Sequence, residues 1–223
     1  MGVKGLRKII EKHAPAAVRT GVKLAELAGS VFVFDASLRI FKWSLVKNAR
    51  ESPDGTPTNH IFGAFAMTDC LRSVKIRSVY VFDGAPAEEK AACGAARAAA
   101  RDCGGAKSPD ARVWDETREL LDLLGVAHIT ADGEADPVVA MATHTLVDVV
   151  AAANANANAA ANANANANAP PPHVYAVTDD LDALAFGATH VVLDIDCLHK
   201  TATIISLADI LRDMKMTQAQ FVD

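Results

Sequence analysis

Three short apolar runs in this chain each end in aspartate, and this repeated pattern constrains the fold most strongly. VFVF precedes Asp35, VYVF precedes Asp83, and VYAV precedes Thr178 and the acidic pair Asp179 and Asp180. Each run is continuously apolar and rich in β-branched and aromatic residues, which is typical of strands buried on both faces of a parallel sheet. We therefore predict parallel strands at 31–34, 79–82 and 174–177.

The segments around these runs predict the rest of the fold. VAHIT (126–130) and HVVLDI (190–195) are two further strand candidates. Apolar periodicity and capping residues predict helices between the strands, over 6–17, 36–49, 58–74, 86–103, 110–124 and 134–150. Strands that alternate with helices predict an α/β fold with a mostly parallel central sheet flanked by helices.

The length of 223 residues predicts a single domain over 1–223. Residues 151–172, AAANANANAAANANANANAPPP, form a low-complexity insertion. This tract lacks an apolar face and cannot bury enough surface to offset its ordering entropy. We expect a flexible surface insertion, with the alternative that its alanines extend the preceding helix.

Composition excludes several classes of protein. The chain has no run of 18 uncharged apolar residues, so no membrane span is expected. Four cysteines without a CxxC pair indicate reduced thiols rather than a disulfide framework or a zinc site. The charged N-terminus lacks an apolar signal core, so we expect an intracellular protein.

The charge is distributed unevenly along the chain. The first 50 residues carry ten basic and three acidic side chains, and the remainder carries twelve and twenty-four. A basic N-terminal part on an acidic body is compatible with an anionic substrate at an acidic metal site. A chance imbalance of solvated charges explains the same numbers.

Several carboxylates are expected to meet at one edge of the sheet, because ligands bind beyond the carboxyl ends of parallel strands. The candidates follow the predicted strands in the sequence: Asp35, Asp83, Glu134, Asp136, Asp180 and Asp182. Taken singly, an aspartate after a strand is better explained as a helix cap or turn residue, whereas the whole set favours a metal site. Asp194 and Asp196 we interpret as edge or turn residues.

Such a cluster requires a counter-charge, since neighbouring carboxylates raise each other's pKa. Magnesium prefers oxygen ligands, and two ions about 4 Å apart stabilise both the attacking and the leaving oxygen of a phosphodiester displacement. The sequence therefore predicts a site for Mg²⁺, with two ions expected and Mn²⁺ as a substitute.

A cationic stripe follows Asp83 in the alanine-rich segment. Lys90, Arg97 and Arg101 are spaced to lie on one helix face. Beside a metal site they would grip the scissile phosphate. An ordinary solvated helix face is the alternative.

Five motifs in order resemble the XPG/flap endonuclease family of structure-specific 5′ nucleases. They are MGVKGLRKII at residue 1, VFDAS (33–37), VFDGAP (81–86), GEAD (133–136) and TDDLDALAFG (178–187). The resemblance implies a PIN-like 5′-nuclease fold, with an N-terminal family region at 1–107 and an internal region at 112–150 and 173–215. It implies Mg²⁺-dependent hydrolysis of DNA at flaps or junctions, in replication or repair, and a nuclear location by analogy.

The resemblance also implies roles for individual residues. The six carboxylates named above would be metal ligands, and Lys90 and Arg97 would be the catalytic basic pair. Phe41 would stack on a base near the cut, Gly2 would lie near the substrate junction, and Arg101 would contact the substrate.

The chain departs from the family pattern in three places. Asp136 stands where the family usually has Glu, and the segment from Arg101 to Trp114 is too short for a full helical arch. A capping box at Thr217 and Gln220 starts a helix close to Asp223, so we expect the family's helix–hairpin–helix part to be missing or supplied by a partner protein. The alternative function is therefore a weakly active or inactive nucleic-acid-binding or partner-binding remnant. A metal-dependent phosphatase is a third possibility.

Overall fold

This computed structural model describes residues 5–46, 50–85, 110–160 and 173–222, with only the backbone of 155–160. The strands are β1 (Val18–Lys23), β2 (Val31–Asp35), β3 (Arg77–Phe82), β4 (Ala127–Thr130), β5 (Val174–Val177), β6 (His190–Asp196) and β7 (Thr201–Ser206). The helices are α1 (Leu6–His13), α2 (Ala36–Ser44), α3 (Asn59–Ser73), α4 (Ala111–Leu123), α5 (Ala135–Thr145), α6 (Val147–Ala160), α7 (Asp182–Ala185), α8 (Leu207–Met214) and α9 (Gln218–Val222).

The seven described strands form one mixed sheet in the order β1-β7-β6-β5-β2-β3-β4. The strands from β6 to β4 are parallel to one another, and β7 runs antiparallel to both β6 and β1. The mostly parallel sheet predicted from the sequence is therefore confirmed. Strand β2 is the middle one of the five parallel strands, so its carboxyl end lies between those of β3 and β5.

The continuously apolar strands divide their side chains between two cores. In β2, Val31 and Val33 face a core formed with α1, α5 and α8, whereas Phe32 and Phe34 face a core formed with α2, α3 and α4. The Phe34 ring stacks on Tyr80 of β3 at a centroid distance of 4.8 Å. Burial of both faces explains why these strands show no polar alternation.

Several boundaries differ from the predictions. The first helix ends at His13 rather than continuing to Ala17, because Pro15 begins a separate 3₁₀ turn. The helix predicted over 134–150 is two helices, α5 and α6, bent by 49° at Leu146. Strands β1 and β7 were not predicted. The helix predicted at 86–103 lies outside the described residues.

The expectation of a flexible insertion at 151–172 is wrong for its first part. Helix α6 continues through Ala160, as the alternative proposed. The Asn154 amide donates to the carbonyl of Gly29 at 2.7 Å and accepts from Arg77 at 3.2 Å. Helix α6 is thus held by hydrogen bonds at Asn154 in addition to the apolar burial of Val150 in the first core.

No single helix in the described part of the chain is long and apolar enough to span a membrane. Helix α5 and the first half of α6, taken together across the bend between them, have the length and composition of a span.

Leucines on helix α4 provide a test of the second core. The Leu121 side chain is fully buried, whereas Leu123 is 79% exposed. We expect Leu121→Ala to lower the free energy of unfolding by about 2–5 kcal/mol, because it removes buried apolar contacts and leaves a cavity. Urea unfolding measures the change, with Leu123→Ala as the matched control. Equal losses in both variants would contradict this packing of α4.

Candidate active site

Asp35 is held where β2 passes directly into α2. It is the last residue of the strand and the N-cap of the helix, and its Oδ1 accepts a hydrogen bond from Leu38 N–H at 3.0 Å. Its side chain is almost fully buried, with 9% exposure. The capping interpretation and the site interpretation are thus both compatible with its position, because one carboxylate oxygen caps the helix.

Asp83 follows β3 and binds the start of α5. Its Oδ1 accepts from Ala135 N–H at 2.8 Å, so the helix N-terminus stabilises its negative charge. The loops after β3 and β4 meet closely here, with Gly84 N–H donating to Gly133 at 2.7 Å. A Cβ on Gly84 would lie 2.0 Å from the Ala131 carbonyl oxygen, so only glycine fits.

Four predicted carboxylates line one cleft of about 350 Å³ at this edge of the sheet. Glu134 is the N-cap residue of α5, and Asp136 lies in the first turn of that helix. The residues that line the cleft are Asp35, Asp83, Gly84, Gly133, Glu134 and Asp136. The edge chosen by the parallel-strand argument is therefore where three separate chain segments meet.

Asp180 and Asp182 lie in the turn between β5 and α7. Asp180 N–H donates to the buried Thr178 hydroxyl at 3.1 Å, and its Oδ1 accepts from Asp182 N–H at 3.1 Å. Asp180 lies close enough to Asp136 for its charge to raise the pKa of that residue. Asp182 begins α7 and lines neither the carboxylate cleft nor the neighbouring cleft at Asp180.

The carboxylates are electrostatically unfavourable as ionised groups. Burial raises the pKa of Asp35 to about 7, and the charges of Asp136 and Asp83 add to this against the opposing hydrogen bond from Leu38. Burial also raises the pKa of Asp136 to about 6, with Asp180, Asp83 and Glu134 contributing in the same direction. Near neutral pH the site therefore favours a proton or another cation.

The donor set fits a hard divalent cation. Asp136 Oδ1 is buried and has no hydrogen-bond partner, and the polar side chains that line the cleft in the described part of the chain are all carboxylates. The present spacing is open, however. Among the side chains of the described ranges, no three of the His, Cys, Asp and Glu type are close enough to hold one ion together.

Two basic residues on α2, Arg39 and Lys42, were missed as site residues. Lys42 Nζ contacts Asp179, and an Arg39 guanidinium nitrogen lies 4.0 Å from the other Asp179 oxygen. Arg39 is 7% exposed, and its charge also acts on Asp35. Their spacing of four and seven residues from Asp35 places them on the same helix face, which is the sequence signal that indicates them.

A second cleft of about 520 Å³ is lined in part by Asp180, whose charge acts on Asp136 of the carboxylate cleft. It is lined by Gly5 and Arg7 from the N-terminal segment, with Lys42, Asp179 and Asp194 among the other residues. Arg7 lies 3.6 Å from Asp194, whose backbone is left-handed at φ 46°. Asp194 thus belongs to this cleft. Asp196 is a turn residue as interpreted, since it accepts from Leu198 and His199 N–H.

The remaining predicted site residues are only partly placed. Phe41 lies on α2, half-buried and six residues after Asp35. Gly2, Lys90, Arg97 and Arg101 lie outside the described residues, so their predicted roles remain predictions. The predicted roles of the carboxylates also remain predictions, as do the region boundaries at 107, 112 and 215.

Sequence comparison relates the chain to nucleases. Residues 1–103 match the XPG N-terminal domain. Flap endonuclease 1 of Phytophthora infestans is 29% identical over the whole chain, which covers 59% of that protein. The chain thus spans about three fifths of the length of the curated relatives it matches.

Solved structures show the same fold. The catalytic core of Rad2, determined in complex with a DNA substrate, superposes with a TM-score of 0.66 at 23% identity, over 98% of this chain and 58% of Rad2. Human GEN1, determined in complex with Holliday junction DNA, superposes with a TM-score of 0.65 at 16% identity. The match covers 99% of this chain and 48% of GEN1. The architecture is therefore that of the PIN-like nuclease core. With the sequence match, the chain is similar to the XPG/flap endonucleases, as its motifs predicted.

Replacing Asp35 tests how much its ionised carboxylate lowers the free energy of unfolding. A pKa raised from 3.8 to about 7 means that the folded state binds the proton more tightly, so the free energy of unfolding falls as the pH rises from 4 to 7. We expect Asp35→Asn, which keeps the helix cap, to flatten this decline in metal-free buffer. At pH 8 it should add on the order of 2 kcal/mol to the free energy of unfolding.

Urea unfolding between pH 4 and 8 measures the effect. Asp69→Asn, at an exposed position of α3, is the control and should follow the wild-type curve. A wild-type pH profile that Asp35→Asn leaves unchanged would show that Asp35 ionises without cost.

Proposed function

We propose that this chain is the catalytic part of a Mg²⁺-dependent, structure-specific DNA nuclease that hydrolyses phosphodiester bonds at flaps or junctions. One observation carries the proposal: carboxylates from separate segments converge on one cleft and mutually disfavour ionisation. The relatedness to flap endonuclease 1 indicates which anion such a site would meet.

The residues that would hold metal are Asp35, Asp83, Glu134 and Asp136, with Asp180 at the side of the cleft. Bound Mg²⁺ would supply a water of lowered pKa and would offset charge on the phosphate. Asp83 is oriented by the Ala135 N–H, and Asp35 by the Leu38 N–H. These hydrogen bonds orient one oxygen of each carboxylate, and the second oxygen of each would be available to metal.

The basic residues beside the cleft would position the DNA backbone. Lys42 is half-exposed at the mouth of the second cleft and pairs with Asp179, and Arg7 pairs with Asp194 in the same cleft. Exchanging these partners for phosphate oxygens would let the duplex approach the carboxylates. Arg39 is buried, lies 4.0 Å from Asp179, and balances part of the acidic charge.

A DNA-binding protein that does not cleave is the second candidate. It is favoured by the open spacing of the carboxylates, since the described side chains lack a group of three placed to hold one ion. This candidate predicts salt-dependent DNA binding without turnover.

Cleavage assays decide between the two candidates. We expect the chain to cut labelled 5′-flap DNA in Mg²⁺, and Asp83→Asn to lower the rate at least about 100-fold, because it removes charge at the site but keeps the acceptor for Ala135 N–H. Nicked and single-stranded DNA define the preference, and Asp69→Asn is the control. Intact flap DNA with wild type would leave only the binding candidate.

Metal binding has a readout independent of turnover. Mg²⁺ at about 100 times its Kd should stabilise the fold by about 2.7 kcal/mol, since it binds only the folded state. Thermal or urea unfolding with and without Mg²⁺ measures this, against a sodium salt of equal ionic strength. Asp83→Asn should lose most of the gain; an equal gain in both proteins would place the ion elsewhere.

A further inference from the structure

Three sulfur atoms meet between helix α3 and the turn that joins β6 to β7. The Cys197 thiol donates to the Met67 thioether at 3.8 Å and also hydrogen-bonds with the Cys70 thiol. Cys70 Sγ donates to the Cys197 carbonyl oxygen at 3.9 Å. Met67 and Cys70 are three residues apart on α3, so they lie on the same helix face and both reach Cys197. We term these three residues the sulfur cluster.

The spacing of the sulfur cluster suits a soft metal ion with few ligands. Three sulfur ligands placed at about 2.3 Å around one ion lie about 4 Å from one another. The distance between Cys197 Sγ and Met67 Sδ, 3.8 Å, is close to that value. Thiolate and thioether ligands select soft ions such as Cu(I).

The same surroundings disfavour the commoner metals. Structural zinc takes four ligands, and the His, Cys, Asp and Glu side chains of the described residues do not form even a group of three that could hold an ion. Magnesium requires oxygen ligands, and the cluster offers sulfur. A monovalent soft ion that accepts three ligands is therefore the cation that fits.

The cluster is reached from the side of Cys197. Met67 and Cys70 are each 6% exposed, whereas Cys197 is half-buried and its thiol is free. Burial, followed by the hydrogen bond with Cys70, raises the pKa of the Cys197 thiol to about 12, so this thiol keeps its proton at neutral pH. Only a strongly thiophilic ion would displace that proton, because the thiolate is the form that binds metal.

A buried cation beside the cluster would balance the charge of the complex. A Cu(I) ion with two thiolates carries one net negative charge. The Arg39 guanidinium is buried and interacts electrostatically with Cys197. Within the described residues its Nε and Nη2 have no hydrogen-bond partner, and Asp179 lies 4.0 Å away. The positive charge of Arg39 is thus only partly balanced and would stabilise an anionic complex.

We propose that Met67, Cys70 and Cys197 bind one Cu(I) ion. Two thiolates and one thioether surround the ion, and the two thiol protons are released to solvent as it binds. The ion links α3 to the β6–β7 turn within the second core. None of its three ligands lines the carboxylate cleft, so this site is independent of the proposed nuclease function.

Competition with the Cu(I) chelator bicinchoninate, on reduced protein without oxygen, measures the affinity. The background is Cys93→Ser/Cys103→Ser, because those two thiols lie outside the described residues. We expect one Cu(I) per chain, with binding weakened at least about 100-fold by Cys197→Ser and about tenfold by Met67→Leu. Met141→Leu, at an exposed position of α5, is the matched control and should bind as the background does. Equal affinity in the background and in Cys197→Ser would overturn the site.

Two further measurements keep the test valid if Cys197→Ser folds poorly. X-ray absorption should show three sulfur neighbours of copper in the background protein and two in Met67→Leu, which nearly conserves the buried volume. Native mass spectrometry should show one copper gained and two protons lost. A sulfur count that Met67→Leu leaves unchanged, or a loss of two hydrogens without copper, meaning a Cys70–Cys197 disulfide, would overturn the site. Either result would leave the nuclease proposal standing.

Discussion

Repulsion among carboxylates at the carboxyl edge of the sheet is the constraint that the rest of this structure has to accommodate. Asp35 and Asp136 come from different parts of the chain, and each costs free energy where it stands, because burial and neighbouring charges raise its pKa. A fold held only for stability would replace them with apolar or neutral residues. Their cost is consistent with a site that a cation completes.

The rest of the fold holds these side chains in place. Two cores of different character cover the sheet, with aromatic rings on one face and small aliphatic side chains on the other. The aromatic face positions α2 and α4, whereas the aliphatic face lets α5 approach until its first N–H groups reach Asp83. Gly84 permits the close contact between the two loops that carry the acidic residues. Packing on both faces thus determines where the charge is gathered.

Three clefts with different side chains lie around the carboxyl ends of the strands. Carboxylates line one cleft, the paired cations Arg7 and Lys42 line a second, and Trp114 and Arg118 line a third, which shares Asp83 with the first. The paired cations Arg7 and Lys42 and the aromatic side chains Phe82 and Trp114 therefore line separate clefts.

Much of the fold and of the candidate site could be predicted from the sequence. Continuous apolar runs that end in aspartate were enough to predict β2, β3 and β5 as parallel strands of one sheet, because burial on both faces removes polar alternation. Their neighbouring order is given by the structure. The same argument brought Asp35, Asp83, Glu134 and Asp136 to one edge.

Strands β1 and β7 were not predicted, because antiparallel pairing at the sheet edge has no comparable local signature in the sequence. Helix α6 was misjudged because Asn154 is held by hydrogen bonds to Gly29 and Arg77, which are distant in sequence. Arg39 facing Asp179 and Trp114 facing Asp83 likewise depended on packing between α2, α4 and the strand ends. Residue types and their order therefore define which groups can react, whereas distances between groups far apart in the chain arise only when both cores form.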